Sequence, residues 1–143
     1  MLVFDKWTCN CDARQTIFYR PSRNDSPQYV TMMIDQGFCF NANEWSFPDA
    51  PLRGVFSRLS VYAEVAGLGS FEPYLTRLEN LDDGLLEDAA AAVPPEWYAG
   101  ETEELGALLQ ALADRRRKVA PLLLALRNSA KRPFPNWRDH EKL

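Results

Sequence analysis

The chain has 143 residues, 46% of them apolar, and a net charge of −4. That length suits one domain, residues 1–143, with a core of its own, and the acidic balance argues against nucleic acid as a general partner. No apolar run reaches transmembrane length and the first residues lack the basic and apolar regions of a signal peptide, so the expectation is a cytoplasmic protein with no membrane partner.

In chain order, residues 3–11 read as the end of a short helix or an extended entry into a polar loop. Residues 16–20 (Thr-Ile-Phe-Tyr-Arg) are rich in β-branched and aromatic side chains and predict a strand. The Pro/Ser/Asn/Asp-rich stretch 21–28 is a loop signal, and residues 29–34 predict a second strand. After Gly37, aromatics and prolines alternate without helical period, which predicts a long ordered loop anchored by Phe38, Phe40, Trp45 and Phe47.

From Val55 the spacing turns helical. Val55, Leu59, Tyr62 and Val65 predict one helix, ended by Gly67 and Gly69. Ser70 is placed to cap a second, with Phe71, Tyr74, Leu75 and Leu78 on one face. Asp82 is placed to cap a third, with Leu81 and Leu86 as a hydrophobic staple, and Pro94 and Pro95 close it. A last long helix starts near Glu101–103 and carries Leu105, Leu108, Leu112, Val119, Leu123 and Leu126 at helical spacing. Pro121 should kink or divide it. Leu105, Leu108, Leu112, Trp97, Leu75 and Leu78 are expected in one shared core. The run Asp114-Arg-Arg-Arg-Lys118 reads as a solvated helix face or a phosphate-binding patch. The predicted class is α+β, mostly α: a short N-terminal hairpin followed by a helical bundle.

The candidate site lies around the hairpin. Asp12 precedes the first strand and Asp35 follows the second, 23 residues away. Antiparallel neighbours bring those flanks together, so both carboxylates can open onto one site. One loop Asp that orients a hydroxyl, with a second Asp before a glycine that holds Mg²⁺, is the layout of the phosphoryl-transfer half of a protein kinase. Asp and Asn also favour turns and caps for purely local reasons. Three cysteines, Cys9, Cys11 and Cys39, make a secreted disulfide framework a poor fit, and C-x-C departs from zinc-ligand spacing, so they read as small buried residues. A single histidine, His140, near the chain end argues against hydrolytic triads.

The segments Phe4-Asp-Lys-Trp-Thr-Cys-Asn-Cys-Asp-Ala-Arg14, Met33-Ile-Asp-Gln-Gly37 and Pro94-Pro-Glu-Trp-Tyr98 resemble the HipA-like kinase family of bacteria. The resemblance runs to about Trp137 and covers the C-terminal half of such a domain, so it implies a kinase C-lobe fold. It implies Mg²⁺ and ATP as cofactors, a protein Ser/Thr hydroxyl as acceptor, Asp12 as the catalytic residue and Asp35 as the metal ligand. Asn10, Arg14 and Gln15 are the implied cofactor contacts. The family's second metal ligand, an Asn five residues after the Asp, falls on Ile17, where Asn10 or Gln15 would have to substitute. No glycine-rich loop and no strand-borne Lys matches the nucleotide-binding lobe, so the chain reads as a fragment, a split gene product or a degenerate copy. A partner supplying that lobe is one expectation. A non-catalytic binding module or pseudokinase remnant is the other, offering to a partner the apolar face between Leu105 and Leu126, with the surface that would meet the missing lobe also bare.

Overall fold

The computed structural model describes residues 1–12, 16–20 and 29–138. Among these, five α-helices, five short 3-10 turns and one two-stranded hairpin make a mixed α/β fold. Helix α1 (Leu2–Trp7) leads into the Asp12 loop. Strands β1 (Thr16–Tyr19) and β2 (Val30–Met33) pair antiparallel, with Thr16 opposite Met33 and Tyr19 opposite Val30. The predicted loop at 21–28 lies outside the described residues.

The stretch 34–73 contains no α-helix among its described residues. The helix expected over Val55, Leu59, Tyr62 and Val65 is a single 3-10 turn, Leu59–Tyr62. The Tyr62 hydroxyl accepts the Phe56 N–H at 2.9 Å, and Asn136 Nδ2 donates to the Ala63 carbonyl at 2.7 Å. Tertiary packing and these bonds fix a coil whose apolar spacing only imitates a helix. Of the four expected loop anchors, Phe40 and Phe47 pack inward while Phe38 and Trp45 are exposed.

Helix α2 (Tyr74–Glu79) starts later than its apolar spacing predicts, because a 3-10 turn, Leu68–Phe71, precedes it. Ser70 does not cap it; the Ser70 hydroxyl accepts the Ala66 N–H instead. Helix α3 (Asp83–Ala91) begins as expected: Asp82 Oδ1 accepts the Gly84 N–H at 2.9 Å, and Leu81 packs in the cluster that holds Leu86. The last helix is divided into α4 (Thr102–Arg115) and α5 (Val119–Arg127) by a 3-10 turn at Arg116–Lys118. Pro121 falls in the first turn of α5, where its missing N–H would have had no partner within that helix.

The core is two clusters, not one. The larger gathers Leu2, Phe71, Leu75, Leu78, Leu123 and Phe134 around α5, and the smaller joins Leu86 of α3 to Leu108 and Leu112 of α4. Leu75 and Leu78 are therefore separated from Leu108 and Leu112, and Trp97 is 77% exposed on the short Pro95–Trp97 turn. On the inward faces of α4 and α5, Leu108, Leu112, Val119, Leu122, Leu123 and Leu126 are buried, whereas Leu105 and Leu109 are half-buried and Leu124 is exposed. Trp137 docks as expected, its ring 5.4 Å from Phe134 and under the Arg127 guanidinium. Among the described residues, no helix is long and apolar enough to cross a membrane.

Candidate functional site

The Asp12 loop is built from its neighbours inward. Cys9 takes a left-handed backbone conformation (φ +52°), which turns the chain sharply out of α1. Asn10 is 1% exposed. Its Nδ2 donates to Asp5 Oδ1 at 3.0 Å, its backbone N–H donates to the Asp5 carbonyl at 2.9 Å, and its Oδ1 accepts the Asp12 N–H at 3.0 Å. One buried amide thus links helix α1 to the backbone of Asp12. A ligand contact through Asn10 would require that amide to be released. Arg14 and Gln15 lie outside the described residues.

Asp35 sits two residues past β2, exposed, with φ +49°. The backbone then folds back along the Asp12 loop. Cys11 N–H donates to the Phe38 carbonyl at 3.0 Å, Phe40 N–H to Thr8 at 2.6 Å and Asn41 N–H to Cys9 at 3.2 Å. Thr16 lies opposite Met33, and the Cys11–Phe38 bond brings the backbone next to Asp12 alongside the segment that follows Asp35.

Beneath the loop lies a set of buried charges. Lys6 is 2% exposed and donates to the carbonyls of Pro51 and Arg53. Burial is the main reason its ammonium is pushed down to about 8. Burial also pushes the Asp5 carboxyl up, with the Asn10 bond opposing it. Arg115, at the end of α4, is 3% exposed. Its guanidinium donates to the carbonyls of Lys6 (2.9 Å), Phe47 (3.0 Å) and Pro48 (3.3 Å) and meets Asp49 at 3.3 Å. Trp7 Nε1 adds a bond to the Leu112 carbonyl at 2.8 Å. Gly54 (φ +71°) completes the packing, since a Cβ there would lie 2.9 Å from Asp5 Cβ. Helix α1, the 47–54 segment and α4 are therefore clamped together below Asp12.

Sequence reasoning missed this frame. Lys6 gives no signal at all, and Arg115 is hidden in the basic run. That run is a solvated face only at Asp114, Arg117 and Lys118: Arg115 is buried, and Arg116 is held by the carbonyls of Leu81 and Ala113 and by Asp83. Its remaining cations are exposed, and Lys118 pairs with Asp49 at 3.5 Å. Cys9 and Cys39 are buried small residues as expected, whereas Cys11 is exposed with the Arg53 guanidinium 3.3 Å from its sulfur.

The donor chemistry of Asp12 and Asp35, two carboxylates, fits a hard cation such as Mg²⁺. Among the described residues no group of three His, Cys, Asp or Glu side chains could hold a metal, so an ion here would depend on phosphate oxygens as well. ATP fits less well. Lys6, next to the loop, has its ammonium committed to Pro51 and Arg53 and cannot clamp a triphosphate. Comparison of the chain with protein-family models, with curated proteins and with solved structures finds no match.

Proposed function

We propose that the chain is the catalytic-loop and helical half of a HipA-like protein kinase domain of Ser/Thr type, acting in the cytoplasm. Its helices correspond to a kinase C-lobe. In this reading Asp12 orients an acceptor hydroxyl on a protein substrate and takes up its proton on a carboxylate oxygen. Asp35 holds Mg²⁺, which when bound neutralises phosphate charge. Arg14 and Gln15 contribute contacts from the same loop. Asn10 acts one step back, as the brace for Asp12. One observation supports the reading: a buried amide holds the Asp12 backbone, and the adjacent Cys11 N–H bonds the Phe38 carbonyl three residues after Asp35. Phosphoryl transfer is mostly positioning, so rigid placement of two carboxylates is what the chemistry requires.

ATP as donor needs a phosphate cradle that the described residues do not supply, so residues 1–143 alone should transfer no phosphate. A radiolabel-transfer assay tests this. We expect no label from the chain alone, and activity when a nucleotide-binding lobe is supplied as a second chain. That activity should be lost in Asp12→Asn and Asp35→Asn and kept in Asp88→Asn, an exposed control on α3. Labelling that persists in both site variants would refute the assignment.

The second reading, a non-catalytic binding module, has its own observation. Ile17, Tyr19, Val30 and Met32 form one face of the hairpin, and all four are exposed. A two-stranded hairpin has little stability of its own, and an apolar face of this kind suits a covering partner. Under this reading Asp12→Asn and Asp35→Asn leave partner capture intact while Tyr19→Lys abolishes it.

A further inference from the structure

We propose that the cavity between α1, β1 and residues 56–62 binds a small organic cation, a protonated amine on an aromatic or apolar body, with the Asp5 carboxylate as its counter-ion. The cavity measures about 390 Å³, within the range of roughly 300–1,000 Å³ that small-molecule sites occupy. Its walls are mostly apolar, from Leu2, Phe18, Phe56 and Val61, with Tyr62 beside them. Such walls suit a hydrophobic body, and the three aromatic rings suit a cation.

The single acidic group is Asp5, 5% exposed. Its Oδ1 accepts the Asn10 amide. Its Oδ2 receives no hydrogen bond or ion pair among the described residues. Ser129 Oγ is the one buried side-chain polar atom without a partner there, so Oδ2 is not sealed away; the space it reaches is the cavity Asp5 lines. The neighbouring cation, Lys6, is turned to Pro51 and Arg53. The Met1 amino group contributes positive field at Asp5 without forming an ion pair. Burial raises the cost of charge on Asp5, and a bound ammonium would add a direct ion pair to the weaker field of Met1 and Lys6. The Tyr62 hydroxyl, at the cavity wall, accepts from Phe56 N–H at 2.9 Å. Gly54 backs Asp5 too closely for any side chain, with a Cβ there 2.9 Å from Asp5 Cβ. An anionic ligand would meet the like charge of Asp5 in a chamber that is otherwise mostly apolar.

The test uses the full chain and three isosteres: phenethylammonium, 2-phenylethanol and phenylacetate. Amide shifts are followed by NMR during titration. We expect saturable shifts around Leu2, Asp5 and Phe56–Tyr62, with the amine bound about tenfold more tightly than the alcohol and no binding of the acid. Asp5→Asn should remove the preference for the amine over the alcohol. Val61→Trp, at an exposed edge of the cavity, should fill the space and abolish binding of both. Equal affinity for amine and alcohol in the unmodified chain overturns the proposal, as do amine shifts that survive Val61→Trp. If Asp5→Asn does not fold, the isostere comparison and Val61→Trp decide the matter.

Discussion

Among single residues, Asn10 and Arg115 hold the most buried polar contacts around the Asp12 loop. Asn10 spends both ends of its amide inside the fold, on Asp5 and on the Asp12 N–H. Removing it leaves a buried carboxylate and a backbone donor short of partners, which costs about 1–3 kcal/mol per orphaned group. Asn10→Ala should therefore lower stability by that order and, more specifically, speed hydrogen exchange at the Asp12 amide. Unchanged exchange at Asp12 would show that the brace is idle. Arg115 makes a rigid fork to three carbonyls, which a lysine cannot reproduce. Arg115→Lys should cost at least about 2 kcal/mol in denaturant unfolding, while Arg117→Lys, exposed two residues on, should stay within about 0.5 kcal/mol. Lys6 gives a pH signature. Its ammonium is held down to about 8 against an unfolded value near 10.5. Between those values the unfolded chain binds the extra proton, so this residue's contribution to stability rises with pH through that window. Subtracting the profile of Lys6→Met should isolate the effect, and a difference that is flat between pH 8 and 10 would contradict it. Asp82 was legible in the sequence because a cap acts within two residues. Lys6 and Arg115 were not, because the carbonyls that hold them lie more than forty positions away.

Elements were legible where local signals and tertiary packing agree. The two strands, the start of α3 and the division of the last helix follow directly from β-branched runs, a capping Asp and a proline. The helix expected over residues 55–65 fails because apolar spacing records which side chains face inward, not which backbone bonds form. There the interior is reached by a coil tied through Tyr62 and Ala63. The single expected core became two for a related reason: periodicity says that Leu75 and Leu108 are inward, not that they meet. Two substitutions check the packing. Leu123→Ala removes a side chain with no solvent exposure and should cost about 2–5 kcal/mol. Trp97→Ala, despite the larger side chain, should fall within about 0.5 kcal/mol. A large loss at Trp97 would mean that the Pro95–Trp97 turn has a covered face.

The whole molecule joins a clamped scaffold to an exposed hairpin. Helix α1, the 47–54 segment and α4 share buried charges and hold the Asp12 loop, while the apolar outer face of the hairpin is left bare. Asp12 and Asp35 could be picked out of the sequence by their positions on either side of two strands. What supports Asp12 could not. Mn²⁺, standing in for Mg²⁺, tests most directly whether the two carboxylates share one cation. In an NMR titration of the full chain, paramagnetic broadening should reach the amides of Asp12 and of residues 35–37 together, at the same low-affinity midpoint. Excess Mg²⁺ should reverse it, and either Asp12→Asn or Asp35→Asn should abolish it at both places. Broadening at one aspartate alone, or centred elsewhere on the molecule, would contradict the shared site and with it the kinase-like reading.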